Sequence, residues 1–138
     1  MLGGDAGRMN LKPLGRRGHA LVDWVTAPAL LLLARHARLS GPSERWAHVF
    51  AGLILLAVST TRTPLGIVRV VPFRLHGHAE IASVIVQAAL PWLAGFSRDT
   101  RGRRFFLVFA AYNLLVWLLT DFRAPEPVGE VSGPRART

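Results

Sequence analysis

Residues 105–119 read FFLVFAAYNLLVWLL, fifteen positions without a formal charge, and they set how the rest of the chain is read. No polar residue recurs along the run at a 3.6-residue period, so as a helix it is apolar on nearly every side. Three other runs share this character: residues 20–34, 46–61 and 79–97. With 105–120 they contain Asp23 and Glu80 as their only acids and neither Lys nor Arg. Each run is 15 to 19 residues long, and a hydrocarbon core of about 30 Å needs about 20. Flanking arginines such as Arg17, Arg35, Arg45, Arg62, Arg98 and Arg104 extend the runs, laying their stems on apolar surface with the guanidinium among headgroups. A soluble four-helix bundle is the competing reading, but 138 residues leave no outer layer to cover four such helices.

The composition fits the membrane reading. The chain has 17 Lys and Arg against 8 Asp and Glu, a net charge of +9, and is 51% hydrophobic. A basic soluble domain would point to nucleic acid, but here the arginines are divided among all the segments between the runs and alternate with no aromatic platform. Nucleic acid is therefore not an expected partner. The absence of cysteine excludes a disulfide scaffold, a thiolate metal site and a cysteine nucleophile. No phosphate-binding glycine loop, nucleophile elbow or HExxH motif occurs, so no enzyme activity, catalytic residue or cofactor is expected.

Local signals place the turns. Gly41-Pro42-Ser43-Glu44 ends one helix and offers Ser43 as the next N-cap, and Asp99 or Thr100 caps the fourth helix. Pro28 and Pro91 are expected to kink the first and third spans. Trp24 and Trp117 fall at one end of an up-down arrangement and Trp46 and Trp92 at the other, the pattern of aromatic belts. Residues 1–18 read as a flexible basic N-terminus in which Met9 offers an alternative start, 63–75 as an interfacial connector, and 123–138 as a disordered tail. Ten basic residues on the side of the termini against seven on the other favour both termini in the cytoplasm. The first span could be read as a signal peptide, but it lacks a small-residue cleavage site and reads better as a retained anchor.

The sequence also repeats. An offset of 57 pairs His19 with His76, Asp23 with Glu80, and Leu39-Ser40 with Phe96-Ser97; after a two-residue change, an offset of 59 pairs Val49-Phe50-Ala51 with Val108-Phe109-Ala110 and Thr61 with Thr120. The expected fold is therefore all-α, a four-span transmembrane helical bundle built from two tandem helical hairpins, 19–62 and 76–122. Copies of two spans share one orientation and are related by an axis along the membrane normal.

The segments LHGHAE (75–80), PWLAGFS (91–97) and LLTDF (118–122), with the connector TPLGIVRVVPFRLH (63–76), resemble the SPW-repeat family of small integral membrane proteins. Pro91 and Trp92 carry the motif; Leu90 stands where its serine would be, and Ala34-Arg35 replaces Pro-Trp in the first copy. The resemblance implies a multi-pass membrane protein of paired helices and no defined reaction.

The candidate polar cluster is His19, Asp23, His76 and Glu80, each His one helical turn before its acid and all four at one membrane level. Ionisable groups in a span are functional candidates, and these could pass protons or hold a divalent metal, with His78 as a further ligand. The plainer reading is that each histidine satisfies an acid near the helix start and that the pairs set how the hairpins dock. With no further His or Cys ligand at such a spacing, that reading is preferred and no metal is expected. Gln87, Tyr112 and Asn113 near mid-span call for interhelical hydrogen bonds, and His48 reads as an interface residue. The expected role is structural or accessory in the cytoplasmic membrane, with lipid, anionic headgroups, a second copy or another membrane protein as partners. The alternative is a small transporter or channel subunit that uses the His/acid cluster.

Overall fold

The computed structural model describes residues 11–125, which form four helices: α1 (Arg16–His36), α2 (Gly41–Thr60), α3 (Phe73–Leu93) and α4 (Thr100–Leu119). Met9 and most of the basic N-terminal segment, with the tail from residue 126, lie outside the described residues. Each helix starts four to six residues before its charge-free run, because arginines occupy the first turns without ending them. The helices are therefore 20 or 21 residues long, which at about 1.5 Å per residue is about 30 Å. Residues 16–18 and 73–75, expected in the N-terminal segment and the connector, are helical.

Both hairpin turns use one device. After α1, Leu39 N–H donates to the Ala34 carbonyl and Arg38 N–H to Arg35; after α3, Phe96 N–H donates to Pro91 and Gly95 N–H to Trp92. Arg38 (φ 54°) and Gly95 (φ 74°) take the left-handed conformation that closes such a C-terminus, and Leu39 and Phe96 fold back into the core. Pro28 and Pro91 both lie inside helices that continue past them.

Ser43 is not the N-cap of α2. The helix has begun by Gly41-Pro42, with Pro in the first turn and Ser40 at the cap position. Ser43 is instead fully buried, its hydroxyl oxygen 3.0 Å from the Ser40 carbonyl and 2.9 Å from Asp99 Oδ2, so that its one proton is shared between these two acceptors. Asp99 caps α4 as expected, accepting from Arg101 N–H. The Gly102 backbone N–H, then the Ser43 hydroxyl and Arg101 N–H, hold the Asp99 carboxyl below its ordinary range. A group depressed in the folded state contributes stability above its unfolded pKa and loses it as the pH falls through the folded value. Melting temperatures measured from pH 7 down to about pH 3 should therefore fall below about pH 4, and Asp99→Asn, which keeps a capping oxygen, should flatten that part of the decline. Asp99→Ala should lower stability at neutral pH by about 1 kcal/mol.

α1 packs along α2 and α3 along α4, and α2 and α4 make the main helix contact between the hairpins. The repeat offsets reappear in space. Phe50 and Phe109, equivalent by the offset of 59, meet at a centroid distance of 6.1 Å in the core with Leu30, Leu90, Phe96 and Phe106. At the opposite end Leu14 pairs with the exit of α4 (Leu14 N–H to Leu119 carbonyl, 3.1 Å; Asp121 N–H to Leu14 carbonyl, 2.8 Å). Val71 pairs in the same way with the exit of α2 (Val71 N–H to Thr60, 2.9 Å; Arg62 N–H to Val71, 2.8 Å). Each of these positions lies 57 or 59 residues from its counterpart, so each repeat begins by pairing with the end of the other.

The connector is not a simple surface strip. Ile67, Val68, Val70 and Val71 send their N–H groups to the last carbonyls of α2 at Ser59 and Thr60, folding the loop over that helix end with Ile67, Val68 and Val70 outward. Gly66 allows the fold, since a Cβ there would overlap the Thr61 carbonyl.

The outside of the bundle is apolar, and its interior combines an aromatic and aliphatic core with a set of buried polar residues. Its buried residues include His19, Thr26, Ser43, Thr61, His76, Gln87, Asn113 and Thr120, whereas Val25, Leu32, Leu56, Ile85, Leu93, Val108 and Leu115 are all more than half exposed. Among the described residues, α4 is the one helix long and apolar enough to cross a membrane by length and composition. The other three carry polar residues that lower their apolar content: His19 and Asp23 in α1, Glu44, Arg45 and His48 in α2, and His76, His78, Glu80 and Gln87 in α3.

Candidate functional site

Thr61 and Thr120 follow the last residues of α2 and α4 and organise the polar end of the bundle. Thr61 Oγ1 lies 2.6 Å from the Ala57 carbonyl and Thr120 Oγ1 2.7 Å from the Val116 carbonyl. A carbonyl oxygen only accepts, so each hydroxyl spends its one proton there and faces its next neighbour as an acceptor. That neighbour is in each case a histidine of the other repeat: His76 Nδ1 lies 2.8 Å from Thr61 Oγ1 and His19 Nδ1 2.9 Å from Thr120 Oγ1. Both imidazoles are therefore protonated at Nδ1.

Their Nε2 atoms consequently face inward. They lie 3.1 Å apart, with the rings perpendicular at 89°. Asp23 Oδ2 is 3.4 Å from His19 Nε2 and 3.2 Å from His76 Nε2, and Glu80 Oε2 is 3.5 Å from His19 Nε2. His19 is 1% exposed and His76 7%. Glu80 Oε2 is buried with no hydrogen-bond partner among the described residues. No protein-family model, curated protein or solved structure matches the chain.

Phe73 and Phe122 seal the cluster with edges toward His19 at 5.6 and 5.2 Å, and the Arg16 guanidinium lies 5.1 Å above the Phe73 ring. Trp117 Nε1 donates to the Gly77 carbonyl beside it. A groove of about 390 Å³ between α2 and α3 reaches Asp23, His76 and Glu80 from the side. From there a polar strip runs inward along one face of α3: Glu80, Ser83, then Gln87, whose Nε2 donates to Ser83 Oγ and whose Oε1 accepts from Asn113 Nδ2 at 2.8 Å. In the other repeat Asp23 and Thr26 correspond to Glu80 and Ser83, but Leu30 and Ile54 stand in place of Gln87 and Asn113, so only one repeat carries the strip as far as mid-helix. Tyr112 instead joins the hairpins through Thr26, 2.8 Å away.

The four residues named from the sequence thus meet, and the contacts run between hairpins rather than only within each His/acid pair. His78 does not join them: it is exposed and points away, as does His48, whose Nδ1 contacts the Glu44 carbonyl of its own helix. Pro91 and Trp92 lie at the other end of the bundle, Pro91 buried beneath the turn and Trp92 more than half exposed. Sequence reading missed the part played by Thr61 and Thr120. The available signal was that the repeat pairs them as it pairs His19 with His76.

Proposed function

We propose that this chain is a small multi-pass integral membrane protein of structural or accessory type, an SPW-repeat protein whose two hairpins cross the cytoplasmic membrane four times and lock together through the His19/Asp23/His76/Glu80 cluster. The observation that carries this reading is the apolar exterior: large aliphatic side chains face outward on every helix, while the interior adds buried histidines, threonines and amides to an aromatic and aliphatic core. A soluble monomer rarely exposes apolar surface on this scale. In lipid the same surface is the solvated one, and buried polar groups hold helices together. The bilayer is the principal partner, and arginines at both ends of the bundle suit anionic headgroups. The open sides between the hairpins, one a groove of about 650 Å³ between α1 and α4, offer room for lipid or a second copy.

A second reading, a transporter or channel subunit, is favoured by the polar strip from Glu80 to Asn113. One reconstitution separates the two. Single cysteines at Ser40 and Arg98 should label from one side of the membrane and those at Val70 and Arg123 from the other, and vesicles holding the wild-type protein should pass protons and divalent cations no faster than empty ones. Labelling of Ser40 and Val70 from one side would refute the four-span topology. A flux that Glu80→Gln abolishes would replace the accessory role with the second reading.

A further inference from the structure

We infer that His19, His76 and Glu80, with Asp23 beside them, bind one divalent first-row transition-metal ion of the Zn²⁺ class. The inference does not depend on the membrane reading, because it rests on donor atoms and their spacing.

With both Nδ1 positions protonated by the threonine arrangement, two neutral imidazoles would present bare Nε2 lone pairs to each other at 3.1 Å. Such a contact is repulsive unless a cation lies between them. The candidates are one extra proton and one metal ion. A tetrahedral ion with bonds of about 2.0–2.1 Å has ligand atoms about 3.3 Å apart. The contacts here are 3.1 Å between the two Nε2 atoms, 3.2 and 3.4 Å from them to Asp23, and 3.5 Å from His19 to Glu80. Donor atoms of His19, His76 and Glu80 all lie within 4.8 Å of one another. The buried, unpartnered Glu80 Oε2 is the remaining lone pair that an ion would satisfy.

Two carboxylates and two neutral imidazoles also match the charge of a divalent ion. Metal-bound histidines commonly donate their other ring N–H to an oxygen that fixes tautomer and orientation, and Thr61 and Thr120 stand in that position. Two imidazoles with carboxylates and no thiolate suit Zn²⁺, Co²⁺ or Ni²⁺ rather than Ca²⁺ or Mg²⁺, which take oxygen ligands. Because His19 and Asp23 lie on α1 and His76 and Glu80 on α3, the bound ion would cross-link the two repeats.

The test uses the full chain, free of any affinity tag, purified in detergent, stripped with chelator and titrated with Zn²⁺ alone. One ion per chain is expected, with a rise in melting temperature. His19→Ala and His76→Ala should each abolish stoichiometric binding and the thermal shift. Thr61→Val and Thr120→Val, which leave all four donors in place, should weaken binding about 10- to 100-fold. A variant with His36, His48 and His78 all changed to Ala should bind as wild type does. Should the histidine variants fail to fold, Co²⁺ added to the wild-type protein supplies a readout without them, since a tetrahedral site absorbs visible light far more strongly than the octahedral aqua ion. Folded wild-type protein that takes up no stoichiometric Zn²⁺ and gives no such spectrum would overturn the inference and leave the histidine pair bridged by a proton. Retention of the ion by a folded His19→Ala variant would overturn it too.

Discussion

Arginine placed at Val25, Leu53, Ile85 or Val108, one residue near the middle of each helix, should sharply reduce the fraction of protein recovered in the membrane. All four side chains are at least half exposed. On a water-facing helix such a change is nearly neutral, within about 0.5 kcal/mol, and it would improve solubility. At the centre of a lipid-facing helix an arginine costs about 2.5–3.5 kcal/mol on insertion scales, a shift of about 100-fold in the insertion equilibrium. The two environments therefore predict opposite outcomes for one substitution. α4 already has the length and composition of a span, so Val108→Arg is the reference. Val25→Arg, Leu53→Arg and Ile85→Arg are the decisive variants, because the helices that carry them fall short on composition. Resistance to alkaline extraction, measured for each variant, gives the answer helix by helix. An Ile85→Arg protein as membrane-bound as wild type would take α3 out of the bilayer and reduce the four-span architecture accordingly.

How far the fold could be read from the sequence depended on where charge is informative. The ends of the charge-free runs coincide with helix C-termini to within four residues, because polar turn residues follow directly. The starts do not coincide, since an arginine in a first turn reaches outward along the helix and need not break it. Ser43 shows a different limit. Followed by Glu44 it has the local pattern of a cap, but Pro42 already starts the helix, and the oxygen that Ser43 serves belongs to Asp99 in the other hairpin. That contact depends on how two hairpins meet, which no local pattern encodes.

The candidate site was legible in its membership and not in its wiring. The repeat brought His19, Asp23, His76 and Glu80 to one level, and the expectation that hairpin docking involves them agrees with their contacts across the two repeats. Which ring nitrogen faces which neighbour was not legible. It follows from two threonine hydroxyls already committed to helix carbonyls, a consequence of helix geometry that becomes visible only with the histidines in place. His78 failed as a ligand for a simple reason: two residues beyond His76 on a helix, it faces a different direction.

Gly102→Ala should destabilise the protein by about 2 kcal/mol. A Cβ at Gly102 would lie 2.6 Å from Ser43 Cβ, 2.6 Å from Asp99 Oδ2 and 2.9 Å from Ser43 Oγ. None of these neighbours yields easily: Ser43 is fully buried and holds both Ser40 and Asp99, and Asp99 caps the helix that contains the glycine. Alanine's better helix propensity returns about 1 kcal/mol, but forcing α2 and α4 apart costs more and also disturbs the cap. Gly77 presents a second overlap: a Cβ there would lie 2.7 Å from the Phe122 ring, which is itself packed on His19, Phe73 and Trp117. Ser43 and Gly102 are themselves equivalent by the offset of 59, which supplies a sharper control. Ser43→Gly combined with Gly102→Ala moves the larger residue to the other side of the same contact and removes the overlap with Ser43, leaving the one with Asp99 Oδ2. Thermal denaturation of the wild type, both single variants and the double variant should give a favourable coupling above about 1 kcal/mol. A Gly102→Ala protein as stable as wild type would mean that the hairpins are not held this closely at Ser43, and the α2–α4 contact could not then be what sets their spacing.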